Sequence, residues 1–163
     1  MTDIDQDDID PDDIDQDATA SSGIPLHDLL GLGFTWESGP GTTAEVHMPV
    51  RAPAFGHRDN LHGGAIATMV DLACALAAVR ASGHDPSVES LITVDMHVRY
   101  LGRPTTDTVT AKASVVRVGS QLIVVDCDVV DGDDHMIAAA DLSMMRTPLR
   151  RPLTDQDPPA TQP

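Results

Sequence analysis

Aromatic side chains are scarce. The 163 residues include one Trp, one Tyr and two Phe, which argues against a platform that stacks single-stranded bases. Basic groups are also few, ten Lys and Arg against 26 Asp and Glu for a net charge of −16. Phosphate binding needs clustered cations, so a nucleic-acid surface is not expected. Cys74 and Cys127 are too few for a disulfide framework. No basic and apolar leader of the secretory type opens the chain. The longest apolar stretch, residues 65–79, is interrupted by Asp71 and falls short of the ~18–20 residues of a membrane span. The expectation is a cytoplasmic protein with reduced thiols and no membrane partner. There is no G-x-S-x-G elbow for a serine hydrolase.

Charge is unevenly placed. Residues 1–17 hold nine aspartates, no basic group, no Gly and no Glu. An EF-hand loop needs a Gly at its sixth position and a Glu at its twelfth, so an acidic, disordered tail over 1–23 is the better expectation. Residues 148–163 contain five prolines and read as a second tail. The folded unit is then about 24–147, and the chain's 41% apolar composition is enough for a core.

Within it, residues 24–32 suggest a short helix or turn. Residues 34–49 suggest a strand or hairpin turning at Gly39-Pro40-Gly41, and 51–61 a loop. A strong helix runs over 64–82 and stops at Gly83. Alternating runs at 90–101, 107–118, 122–130 and 136–145 follow, with turns at Gly119-Ser120 and at Asp131-Gly132-Asp133-Asp134. This order gives an α+β domain, an antiparallel sheet with one long helix on one face. The helix is apolar on all sides, more than one sheet can cover, which predicts a second copy of the chain against it.

Two features carry candidate chemistry. Asp71 is the only charged residue between His62 and Arg80. It is either a boundary or capping carboxylate or a catalytic one in a poorly hydrated cleft. His62-Gly63-Gly64 opens the helix, where free N–H groups and the dipole favour an oxyanion, although a plain loop-to-helix turn has the same residues. Gly63 and Asp71 stand about 12 Å apart along the axis, too far for one carbonyl to touch both in one chain. Two antiparallel helices across a twofold axis bring them together. His57 and His62 lack a third ligand, so zinc is not expected. Cys74 reads as core.

The stretch Asn60-Leu61-His62-Gly63-Gly64-Ala65-Ile66-Ala67-Thr68-Met69-Val70-Asp71 resembles the signature of hotdog-fold acyl-CoA thioesterases, most closely the phenylacetate-pathway type. Residues 93–101 resemble the same family's first strand after the helix, and the likeness spans about 34–146. It implies a hotdog fold, a sheet wrapped round one central helix, assembled as a homodimer with continuous sheets or a homotetramer. It implies Asp71 as general base or nucleophile, Gly63 N–H at the thioester carbonyl and Thr93 as an orienting hydroxyl. No metal or organic cofactor is implied, coenzyme A entering only as part of the acyl-CoA substrate. The family's amide six residues before the motif His is Gly56 here, with Asn60 the substitute candidate. His62, Gly64 and Arg99 are candidate substrate contacts, with Arg51, Arg58, Arg103, Lys112 and Arg117 further cations for coenzyme A. Thr93 shares sequence parity with Asp95, His97 and Arg99, which also allows a solvent-facing side chain. A non-catalytic acyl-CoA-binding protein and a hotdog hydratase or dehydratase using His62 are the alternatives.

Overall fold

The computed structural model describes residues 22–34, 40–57 and 60–149. The two expected tails, apart from a few residues, and part of the Gly39-Pro40-Gly41 turn lie outside the described residues. Helix α1 (Pro25–Leu30) starts on Pro25, whose missing N–H and fixed φ suit a first turn, and ends at Gly31 with φ 71°. Strands β1 (Gly33–Phe34) and β2 (Thr43–Pro49) form the expected hairpin. A 3-10 turn (Ala52–Ala54) leads to helix α2 (Gly63–Ser82), which stops at Gly83 with φ 60°. Strands β3 (Glu89–Tyr100), β4 (Thr108–Val118), β5 (Leu122–Asp131) and β6 (Met136–Pro148) complete one antiparallel sheet in the order β1-β2-β4-β5-β6-β3. Strand β6 extends past Met145, because Thr147 and Pro148 still pair with Ser90 and Glu89.

The α+β architecture is as expected, the sheet curling around α2. With aromatics rare, the core is filled by flexible and branched aliphatics such as Met48, Met69, Ile123, Ile137 and Leu142, all fully buried. Helix α2 has 20 residues, and an 18-residue stretch of it has a mean hydropathy of 1.6. It is thus long and apolar enough for a membrane span, against the expectation from residues 65–79, yet it serves here as the core element. Ala65, Ile66, Met69, Val70, Ala73, Cys74 and Ala77 are buried, whereas Thr68, Asp71, Ala75 and Val79 form a stripe at helical spacing left half-buried.

Two polar clamps secure the elements around the helix. Arg146 donates to Glu89 Oε1 at 2.9 Å and to the Ser82 carbonyl at 2.6 Å, tying the C-terminal end of α2 to β3 and β6. Replacing Arg146 by Met keeps the stem and removes both charge-assisted bonds. The unfolding free energy is expected to fall by about 1.5–3 kcal/mol, read as a lower urea midpoint at unchanged m-value.

The second clamp is Asp131, the one charged residue fully buried among those described. Its carboxylate accepts from Thr105 N–H (2.9 Å) and Oγ1 (2.8 Å) and from the N–H groups of Asp133 (3.1 Å) and His135 (3.0 Å). The Asp131-Gly132-Asp133-Asp134 segment is therefore a hairpin turn, as expected. These donors, Thr105 N–H foremost, hold the carboxyl well below the usual carboxylate range. A carboxyl depressed on folding stabilises above its unfolded pKa and loses that effect as pH falls. Asp131→Asn should therefore lower the thermal midpoint at pH 7 by several degrees, with the gap to wild type narrowing below about pH 4.

Candidate active site

The loop before α2 is a closed finger. Phe55 and Leu61 form an isolated bridge, Gly56 N–H donates to the Asn60 carbonyl (2.7 Å), and His62 N–H donates to the Ala54 carbonyl (2.9 Å). His62 then caps the helix, its Nδ1 accepting from Gly64 N–H at 2.9 Å. Thr68 Oγ1 donates to the Gly64 carbonyl at 2.8 Å. The Gly64 N–H is thus engaged, while the Gly63 N–H has no partner among the described residues. It is the free donor at the positive end of a 20-residue helix. A Cβ on Gly63 would stand 3.2–3.4 Å from the Tyr100 ring, so the missing side chain keeps this N–H approachable.

Tyr100, the only tyrosine of the chain, closes the other side. Its hydroxyl donates to the Gly63 carbonyl at 3.1 Å. The sequence reading does not single it out. Its one signal is that a half-exposed aromatic ends a strand in a chain with four aromatics.

Two turns along α2, Thr93 Oγ1 donates to Asp71 Oδ1 at 2.7 Å, and Oδ2 has no partner among the described residues. Asp71 is half-buried. Thr93 therefore faces the helix, and a β-bulge is the reason. Thr93 pairs with Met144 and Asp95 with Ser143, leaving Val94 as an extra residue. Before the bulge Leu91 and Thr93 point inward; after it Met96 and Val98 do. The sequence parity with Asp95, His97 and Arg99 ends at Val94.

Arg99 belongs to the other group. It lies on the outer face of the sheet with His97, both 3.6 Å from an Asp141 carboxylate oxygen, and the structure does not bring it to Asp71 or Gly63 of its own chain. Asn60 joins the finger through its backbone carbonyl. Gly56 is directed at His62, since a Cβ there would lie 3.3–3.4 Å from His62 atoms. The family's amide position thus adjoins the capping imidazole, and this chain leaves it without a side chain. Cys74 is buried, and its contact with the Cys127 thiol together with burial pushes its own thiol up, in keeping with a core residue. Among the described residues no group of three or more His, Cys, Asp and Glu is placed to hold a metal ion.

A carboxylate oriented by a hydroxyl and a bare helix N-terminus are the parts needed to activate water and stabilise an oxyanion. The Thioesterase superfamily pattern matches residues 59–138, from the end of the finger through the helix and β3 to β5 into the start of β6. The Halobacterium salinarum protein named "Putative esterase VNG_1336C" is 34% identical over 138 residues, covering 82% of this chain and 85% of that one. Thioesterase HI1161 of Haemophilus influenzae superposes with a TM-score of 0.67 at 18% identity, over 77% of this chain and 85% of its own. A mutant form of thioesterase PA1618 of Pseudomonas aeruginosa gives 0.68 at 25% identity, over 76% and 86%. The BH2602 protein of Bacillus halodurans, solved with CoA, gives 0.59 at 25% identity, over 63% and 66%. Fold and relatives together place the chain among hotdog-fold hydrolases of the thioesterase class. The chain belongs to the Thioesterase superfamily.

Proposed function

We propose that the protein hydrolyses acyl-CoA thioesters to a free acid and coenzyme A at two equivalent sites, each shared between the subunits of a homodimer. The Thr93–Asp71 hydrogen bond of 2.7 Å is the observation that carries this reading, because it aims one carboxylate oxygen and leaves the other free for water. Support for sharing comes from β3. It is a 12-residue edge strand with β6 on one side only, an open row of backbone groups that another strand can extend. Its Thr93 end touches Asp71 and its Tyr100 end touches Gly63. Antiparallel pairing of two β3 strands about an axis between Met96 and His97 lays the Asp71 end of each chain against the Gly63 end of the other. The half-buried stripe of Thr68, Asp71, Ala75 and Val79 then gains a cover.

In this arrangement the thioester carbonyl accepts from Gly63 N–H. Asp71 of the partner subunit removes a proton from water as it attacks, or adds to the carbonyl itself to give an anhydride that water opens. The coenzyme A thiolate leaves and takes up a proton. The solved CoA complex of the Bacillus halodurans protein supports coenzyme A as the carrier.

Thiol release from short, long and aromatic acyl-CoAs is the test. Release that rises with enzyme concentration and saturates with substrate supports the reading. Acyl-CoA binding without release from any of them assigns the chain to the non-catalytic alternative, with Gly56 in the amide position as the reason.

A further inference from the structure

We infer that the cleft between α1 and the first turns of α2 receives the apolar acyl chain of the substrate and sets which chain lengths are accepted. This rests on the acyl-CoA reading above. The cleft holds about 410 Å³ and is lined by Leu26, Leu29 and Leu30 of α1, Phe55 of the finger, and Ala65 and Thr68 of α2. Such a volume lies within the range of small-molecule sites. Leu26 and Leu29 are 51% and 60% exposed, two large apolar side chains held against solvent on a six-residue helix. Thr68 adds no free polarity, because its hydroxyl is donated to the Gly64 carbonyl.

Two properties select the occupant. Among the described residues the lining contains no Lys, Arg, Asp or Glu and is mostly leucine, phenylalanine and alanine, which suits a carbon chain better than the phosphates of coenzyme A. The lining also runs into His62 and Gly64, the residues on either side of the free Gly63 N–H. A carbonyl seated on that N–H has its chain at the mouth of the cleft, while the sulfur and the charged carrier lead away from it. Each methylene buried there raises affinity about three- to fourfold, so specificity climbs with chain length until the cleft is full.

The experiment measures kcat and KM for acetyl-, butanoyl-, hexanoyl-, octanoyl- and decanoyl-CoA, with calorimetric binding of decanoyl-CoA and free coenzyme A alongside. Wild type is compared with Leu29→Asp, which places a charge in the wall, and Leu29→Trp, which fills the space. Leu29 is exposed, so both variants keep the fold. Leu29→Asp is expected to lower kcat/KM for decanoyl-CoA at least about tenfold, mainly through KM, with acetyl-CoA changed less than about twofold. Leu29→Trp is expected to shift the optimum toward shorter chains. Turnover with the same length profile in all three proteins overturns the inference and leaves the thioesterase reading standing. Absence of turnover, with decanoyl-CoA binding weakened tenfold by Leu29→Asp, supports the cleft and removes the catalytic reading. A lower thermal midpoint or a split dimer in Leu29→Asp, with the acyl profile unchanged, assigns the cleft to a protein contact and likewise overturns the inference.

Discussion

Asp71→Asn is expected to slow thiol release from the best acyl-CoA at least about 100-fold, the scale of a lost general base. The amide keeps the shape of the carboxylate and accepts the Thr93 hydrogen bond through its oxygen, so the helix and β3 stay as they are. What disappears is the group that takes a proton from water or adds to the carbonyl. The loss should therefore fall on kcat with KM little changed, and the thermal midpoint should stay close to wild type. A variant that retains the wild-type kcat removes Asp71 from the reaction.

Gly63→Pro is expected to cost about 100- to 1000-fold in kcat, the effect of deleting one oxyanion donor. Backbone donors are usually beyond mutagenesis, but this one is accessible. Gly63 is the first residue of α2, where proline is favoured, and its N–H bonds to nothing else among the described residues. His62 before it has φ −69° and ψ 130°, an extended conformation that suits the residue preceding a proline. The added ring meets the half-exposed Tyr100 side chain, which has to shift outward and stretch its hydrogen bond to the Gly63 carbonyl. Secondary structure and melting should change little while turnover collapses.

The two variants combined also test the shared site. If each site takes Gly63 from one subunit and Asp71 from the other, a mixed dimer of Asp71→Asn and Gly63→Pro chains contains one site with both defects and one with neither. Random assortment makes half of the dimers mixed, so co-expression should restore about a quarter of the wild-type activity. Two inactive proteins that assemble into mixed dimers and stay inactive overturn the shared site.

The elements of the fold were legible because their periods are clean. The turn signals at Gly83, Gly119 and Asp131-Gly132 stand where the chain reverses, and the isolation of Asp71 in an apolar helix marked it without any structure. The orientation of Thr93 was not legible, because the bulge at Val94 exists only through pairing with Met144 and Ser143 on β6. The role of Tyr100 is hidden in the sequence for the same kind of reason, its contact with the Gly63 carbonyl joining residues 37 apart. Arg99 looked like a candidate for the carrier phosphates from charge alone; which face of the sheet it occupies follows from the register.

The extra residue in β3 means that this strand is read in two phases. Its first half presents odd-numbered side chains to the helix and its second half even-numbered ones, with one half reporting to Asp71 and the other to Gly63. Sliding the whole strand by one residue would turn both phases to the wrong face, and losing the extra residue would leave one phase right and the other wrong. Val94, the unpaired residue between them, thus works as a spatial punctuation mark: a single alignment satisfies both messages, and a chain that folds past it has set the Asp71 and Gly63 ends in step.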